Sequence, residues 1–110
     1  MAKLERNLEG DFDRVLARLH SGVMEGSMSA SYEDGSDVTM GDTRCAVRMY
    51  ERYSYTGKNR VALAMTLVGV GRQLHLTAIT AGGSQALFFK INTWGEEAFL
   101  DTLAAVVEDL

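Results

Sequence analysis

The sequence contains no proline, one cysteine, two histidines and one tryptophan among its 110 residues. Without proline, and with eleven glycines placed singly or in short groups, no linker can be recognised, so the chain reads as a single domain spanning 1–110. The lone Cys45 excludes an internal disulfide and any zinc site built from several thiolates. Long apolar runs are missing as well. The opening MAKLERNLEGDFDRVL alternates charged and apolar residues, so neither a secretory leader nor a membrane span is expected, and the expected compartment is the cytoplasm. An excess of positive charge is also lacking: 11 Lys and Arg stand against 15 Asp and Glu, a net charge of −4. That balance is the wrong sign for a nucleic-acid partner, whose footprint is strongly basic.

What is present suits a folded unit. Hydrophobic residues make up 46% and charged residues 24% of the chain, and a chain of this length buries roughly 65% of its unfolded surface. Lys3 to Leu8 alternates as a short strand. From Asp11, the residues Phe12, Val15, Leu16 and Leu19 fall at helical spacing, with Gly22 as the expected stop. SMSASYE reads as a strand and EDGSD as a turn; TRCAVRMYERYSY, RVALAMTLVG and QLHLTAIT read as three further strands joined through TGKN and GVGR. Short connections demand antiparallel neighbours, because parallel ones need crossovers of about a dozen residues. A closing helix carries Phe99, Leu103, Val106, Val107 and Leu110 on one stripe, with Thr93 and Glu96 spaced as a capping box. The expected fold is therefore α+β with the order β-α-β-β-β-β-α, an antiparallel sheet with two helices packed on one face. That order resembles the TATA-binding-protein-like or helix-grip arrangement, a likeness of fold that carries no function.

Alternation assigns two faces to the sheet. Val47, Met49, Val61, Leu63, Met65, Leu67, Leu74 and Leu76 are expected beneath the helices. Arg44, Ala46, Arg48, Tyr50, Arg52, Arg60, Ala62, Ala64, Thr66, His75, Thr77 and Ile79 are expected on the open side. Charge is segregated along the chain: residues 1–42 carry four basic and nine acidic side chains, 43–92 seven and one, and 93–110 none and five. The arginine-bordered face, with Arg44, Arg48, Tyr50, Arg52, Arg60 and His75, is the candidate for an anionic small molecule or a second subunit, since guanidinium groups suit carboxylates and phosphates. The plainer reading is a solvated sheet face whose arginines pair with nearby acids.

Other motifs carry less. His20 and His75 have no acid at ligand spacing, so no metal is expected, and no motif implies a cofactor. Cys45 beside Arg44 suits a stabilised thiolate, but its alternation with Val47 and Met49 reads first as core filling. GGSQ lacks the lysine and spacing of a phosphate loop and reads as a strand exit. Glu96 and Glu97 point about 100° apart on a helix, so they serve its first turn rather than an acid–base pair. Phe88, Phe89 and Trp94 crowd the junction between last strand and closing helix. They read as a latch between helix and sheet, or, in the alternative, as the lining of a pocket there.

The segments RCAVRMYERYS, NRVALAMTLVG and GGSQALFFKINTWGEEAF resemble a family of short bacterial proteins known only as a domain of unknown function, along nearly the whole chain. The resemblance implies a small cytosolic bacterial protein with no assigned activity, and it brings no site residues with it. The reading that follows is a non-enzymatic binding or assembly domain that uses the open sheet face for an anionic ligand or, as a homodimer, for a second subunit. The alternative is a small-molecule carrier or enzyme with a pocket between closing helix and sheet.

Overall fold

The computed structural model describes residues 2–26, 29–54, 59–82, 100, 103–108 and 110. β1 (Ala2–Glu9) precedes α1 (Phe12–Gly26), and four strands follow: β2 (Ser31–Met40), β3 (Thr43–Ser54), β4 (Asn59–Val70) and β5 (Gln73–Gly82). Leu100 and residues 103–108 are helical and form the described part of α2. The sheet is antiparallel throughout, in the order β1-β5-β4-β3-β2. The α+β order expected from the pattern is the order observed.

Local chemistry explains the boundaries. Asp11 caps α1: its Oδ2 accepts from the Arg14 backbone N–H at 3.0 Å, which satisfies one of the free amides of the first turn. Phe12, Val15, Leu19 and Val23 are the buried stripe. The helix does not stop at Gly22 but continues to Gly26, because Gly22 is where α2 comes close: a Cβ there would run into Val106. The EDGSD segment is not a turn. It lies inside β2, where the pairing with β3 shifts between Tyr32 and Asp34 and leaves Glu33 as a bulge. The chain reverses instead at Gly41-Asp42 and Gly71-Arg72, where the glycines adopt φ of 59° and 60°. A two-residue hairpin turn needs that left-handed conformation, and glycine reaches it without strain.

Among the described residues the core lies on one face. Val61, Leu63, Met65 and Leu67 of the central strand are 0% exposed. Each such side chain contributes about 1.5–3 kcal/mol of transfer free energy. Leu74, Leu76 and Ala78 of β5, Leu4 of β1, the α1 stripe, Leu100 and Leu103 complete the cluster. Both helices therefore pack on the same side of the sheet, with Val106 and Val107 half-buried against it.

On β3 the expected faces are reversed. Cross-strand partners share a face, and Arg44, Ala46, Arg48, Tyr50 and Arg52 pair with Gly69, Leu67, Met65, Leu63 and Val61. These five residues therefore project toward the helices, with Ala46 and Tyr50 in the core. Val47 and Met49 pair with Thr66 and Ala64 and stand on the open face beside Cys45. The physical reason is a near tie. Cys-Val-Met on one side and Ala-Tyr on the other are similarly apolar, and the decision falls to what the arginine heads can reach.

Candidate functional site

On the helix side the arginines find acids. Arg44 forks onto Asp13 of α1 with contacts of 2.8 and 2.9 Å, and its Cζ lies 4.3 Å from the centre of the Phe12 ring. The hydrogen bond holds the Asp13 carboxyl below its ordinary value and raises the Arg44 guanidinium. Arg48 donates to Asp37 of β2 at 2.9 Å and to the carbonyls of Val47 and Ser36 at 2.9 and 3.3 Å, leaving its side chain 16% exposed. Burial lowers Arg52 from its usual value. Arg44 and Arg48 thus meet carboxylates supplied by the chain itself.

Between these arginines, Tyr50 is 0% exposed, and its hydroxyl shares a 2.8 Å hydrogen bond with His20 Nδ1. Tyr32 stands edge-on to His20, with centroids 5.5 Å apart and planes at 88°. Desolvation pushes the Tyr50 phenol up to about 12. The trio reads as a satisfied core hydroxyl, since a buried phenol needs a partner and His20 supplies it.

The opposite face has a different character. Reading across β1, β5, β4, β3 and β2, its rows run Lys3–Ile79–Ala64–Met49–Asp34, then Glu5–Thr77–Thr66–Val47–Ser36, then Asn7–His75–Val68–Cys45–Val38. Ala62 and Ala81 extend the apolar strip at one end, and Val70 and Met40 at the other. None of these side chains is buried, and Ile79, Val38, Val70 and Met40 are 39, 49, 50 and 74% exposed. Among the described residues the core cluster includes no member of this face. Its charged groups sit at the margins in mixed pairs: Arg60 with Glu51 at 3.6 Å, Lys3 with Glu5 at 3.3 Å, and His75 with Glu5 at 3.2 Å and Asn7 at 2.8 Å. Hydrogen bonds from Lys3 and then His75 lower the Glu5 carboxyl.

The expected site is thereby divided. Arg44, Arg48, Tyr50 and Arg52 come together on the helix side; Arg60 and His75 stand on the other face, 15 positions apart in sequence and on neighbouring strands. The residues that pattern reading missed on the open face include Cys45, Val47 and Met49 of β3, Val38 and Met40 of β2, and Val68 and Val70 of β4. The signal for those of β3 was present in Asp13 and Asp37, acids placed to draw the β3 arginines to the opposite side. Phe88, Phe89 and Trp94 lie outside the described residues, as does the expected helix start at Thr93.

Other chemistry is sparse among the described residues. No group of three or more His, Cys, Asp or Glu side chains is placed to hold a metal ion, and no helix is long and apolar enough to cross a membrane. An open groove of about 470 Å³ follows the seam of α1 and α2, between Arg18, Ser21, Glu25, Ala105 and Val106.

Comparison with known proteins adds a family and no activity. The crystal structure of TTHA0849 from Thermus thermophilus aligns with 98% of this chain and 97% of its own, at 14% identity and a TM-score of 0.30. At that score the likeness bears on neither fold nor site. No curated protein matches the sequence. The model of a family of unknown function, DUF6054, matches residues 1–110, and the chain belongs to that family.

Proposed function

We infer that the chain is a binding or assembly domain whose open sheet face docks a second protein subunit. The observation that carries this reading is the apolar strip across β5, β4, β3 and β2, half-buried at its centre, exposed at Ile79, Val38, Val70 and Met40, and bordered by mixed charges. Contiguous apolar surface of this kind marks association sites in proteins. An anionic small molecule is the weaker occupant, because the two arginines best placed to grip one, Arg44 and Arg48, face the helix side and already hold Asp13 and Asp37.

Both edges of the sheet favour contact through the face rather than along an edge. β1 carries Lys3, Glu5, Arg6 and Glu9; β2 carries Glu33, Asp34 and Asp37 and a bulge. Charges and bulges on edge strands oppose strand addition. Sedimentation across a range of concentrations tests the reading. The wild type is expected to run heavier than one chain, Ala64→Glu to run as a monomer with unchanged circular dichroism, and Arg44→Ala to associate like wild type. A wild type that stays monomeric throughout overturns it.

A further inference from the structure

We propose that the docked subunit is a second copy of this chain, stacked face to face about a two-fold axis that runs along β4. This rests on the assembly reading above and deepens it by naming the partner and its orientation.

The face has the size of a dimer interface. Five strands about 4.8 Å apart and roughly nine residues long at about 3.4 Å each give a face of about 24 by 30 Å, or roughly 700 Å². A standard interface buries about 800 Å² per partner, so one sheet face stacked on its twin is close to what a stable dimer requires.

Charge selects the axis. A two-fold along β4 carries the β1 edge of one copy over the β2 edge of the other while keeping each row level. In the row Lys3–Ile79–Ala64–Met49–Asp34, Lys3 then meets Asp34 of the other copy, and the same pair recurs at the opposite edge by symmetry. In the next row Glu5 meets Ser36, so no like charges face each other in these two rows; at the end of the axis strand Arg60 comes opposite its own copy, each with Glu51 of its own chain at 3.6 Å. A two-fold perpendicular to the strands stacks β1 on β1 instead. Centred on a row it sets Glu5 on Glu5, or Lys3 on Lys3 and Asp34 on Asp34, and like charges oppose it; centred between those two rows it sets Lys3 on Glu5 but leaves Asp34 on Ser36, whereas the axis along β4 gives both Lys3 and Asp34 an opposite charge.

Shape agrees with that axis. The axis strand presents Ala62, Ala64 and Thr66, small side chains that meet their own copies and let the sheets approach. The larger flanking residues interlock across the axis, Ile79 against Met49 and Thr77 against Val47. Sheets stacked in this aligned way cross at about −30°, which follows from their twist.

Charge reversal tests the axis. Lys3→Asp places two acids opposite each other at both edges, and Asp34→Lys places two bases there, so each variant alone self-associates about tenfold more weakly than wild type. In an equimolar mixture of the two variants, opposite charges face each other at both edges, and the mixed dimer forms with near wild-type affinity by sedimentation and native mass spectrometry. In a Cys45→Ser background, Ala64→Cys joins to its own copy through a short bismaleimide. A wild type that dimerises while the mixture is no tighter than either variant, or while Ala64→Cys gives no cross-linked dimer, overturns the axis and leaves the assembly reading standing. A wild type that remains a single chain at all concentrations overturns both.

Discussion

Tyr50 takes its hydroxyl into the core, where His20 Nδ1 meets it at 2.8 Å. In the neutral His20 tautomer protonated at Nε2, the phenol donates to Nδ1, and the polar group is satisfied in either partner's terms. Desolvation, the largest influence, raises the phenol to about 12 from an ordinary 10.0; the charge of Arg48 works against the rise and Tyr32 adds to it. The native state therefore keeps a proton that the unfolded chain releases above pH 10. A raised folded value contributes stability fully below the unfolded value and loses it as pH climbs through the folded one. The protein is expected to lose stability between pH 10 and about 12 more steeply than Tyr50→Phe does. At neutral pH the variant is less stable by about 1 kcal/mol, the usual worth of one hydrogen bond. Urea midpoints measured against pH for both proteins check this; equal slopes above pH 10 would remove the desolvated phenol from the account.

At the scale of elements, Gly22 shows tertiary contact overruling local preference. In an isolated helix alanine is better than glycine by about 1 kcal/mol, yet Gly22 sits mid-helix in α1 because Val106 of α2 occupies the space of a side chain. Gly22→Ala is expected to destabilise by roughly 1–3 kcal/mol through overpacking. Val106→Ala makes room and recovers much of that loss, so a double-mutant cycle by chemical denaturation shows favourable coupling; additive effects would mean the helices do not meet there. The same element marks how far the sequence could be read. Regular alternation in β4 and β5 and helical spacing in α1 made the element order legible, because there each pattern has one apolar side. On β3 both sides are half apolar, so the periodicity shows a strand without showing which side is in. That choice was made by Asp13, Asp37 and Phe12, which lie 31, 11 and 32 positions from the arginines they engage. In β2, EDGSD has turn composition, but an edge strand with a bulge accommodates it, and Gly35 in it is needed because a Cβ would strike the Tyr32 hydroxyl and press on Arg48. Of the candidate site, Ala62, Ala64, Ile79 and Arg60 are legible on the open face from β4 and β5 alone, while Arg44, Arg48 and Arg52 are not, because β3 alternates regularly but with the opposite phase.

For the molecule as a whole, the two faces of one sheet divide its physical work. The helix side gathers the core and the ion pairs that join α1, β3 and β2; the open side carries an apolar strip outside that core. This division makes stability uneven across the strands. β4 is paired on both edges, and every second side chain from Val61 to Leu67 is 0% exposed. β2 pairs only with β3, nine of its ten residues are exposed, and its outer edge meets no described strand. Local opening follows few buried contacts and exposed hydrogen bonds. Native-state hydrogen exchange is therefore expected to show β4 amides protected to the level of global unfolding, with β3 and β5 close behind, and β2 amides exchanging fastest of the strands through local opening. The proposed self-association through the face predicts a second signature. It protects β4 and its neighbours further as concentration rises, while the outer edge of β2 keeps its rapid exchange because stacking leaves that edge unpaired. A strand β2 that slows in step with β4 as the protein is concentrated would instead place the contact along the edge, and the face would lose its role.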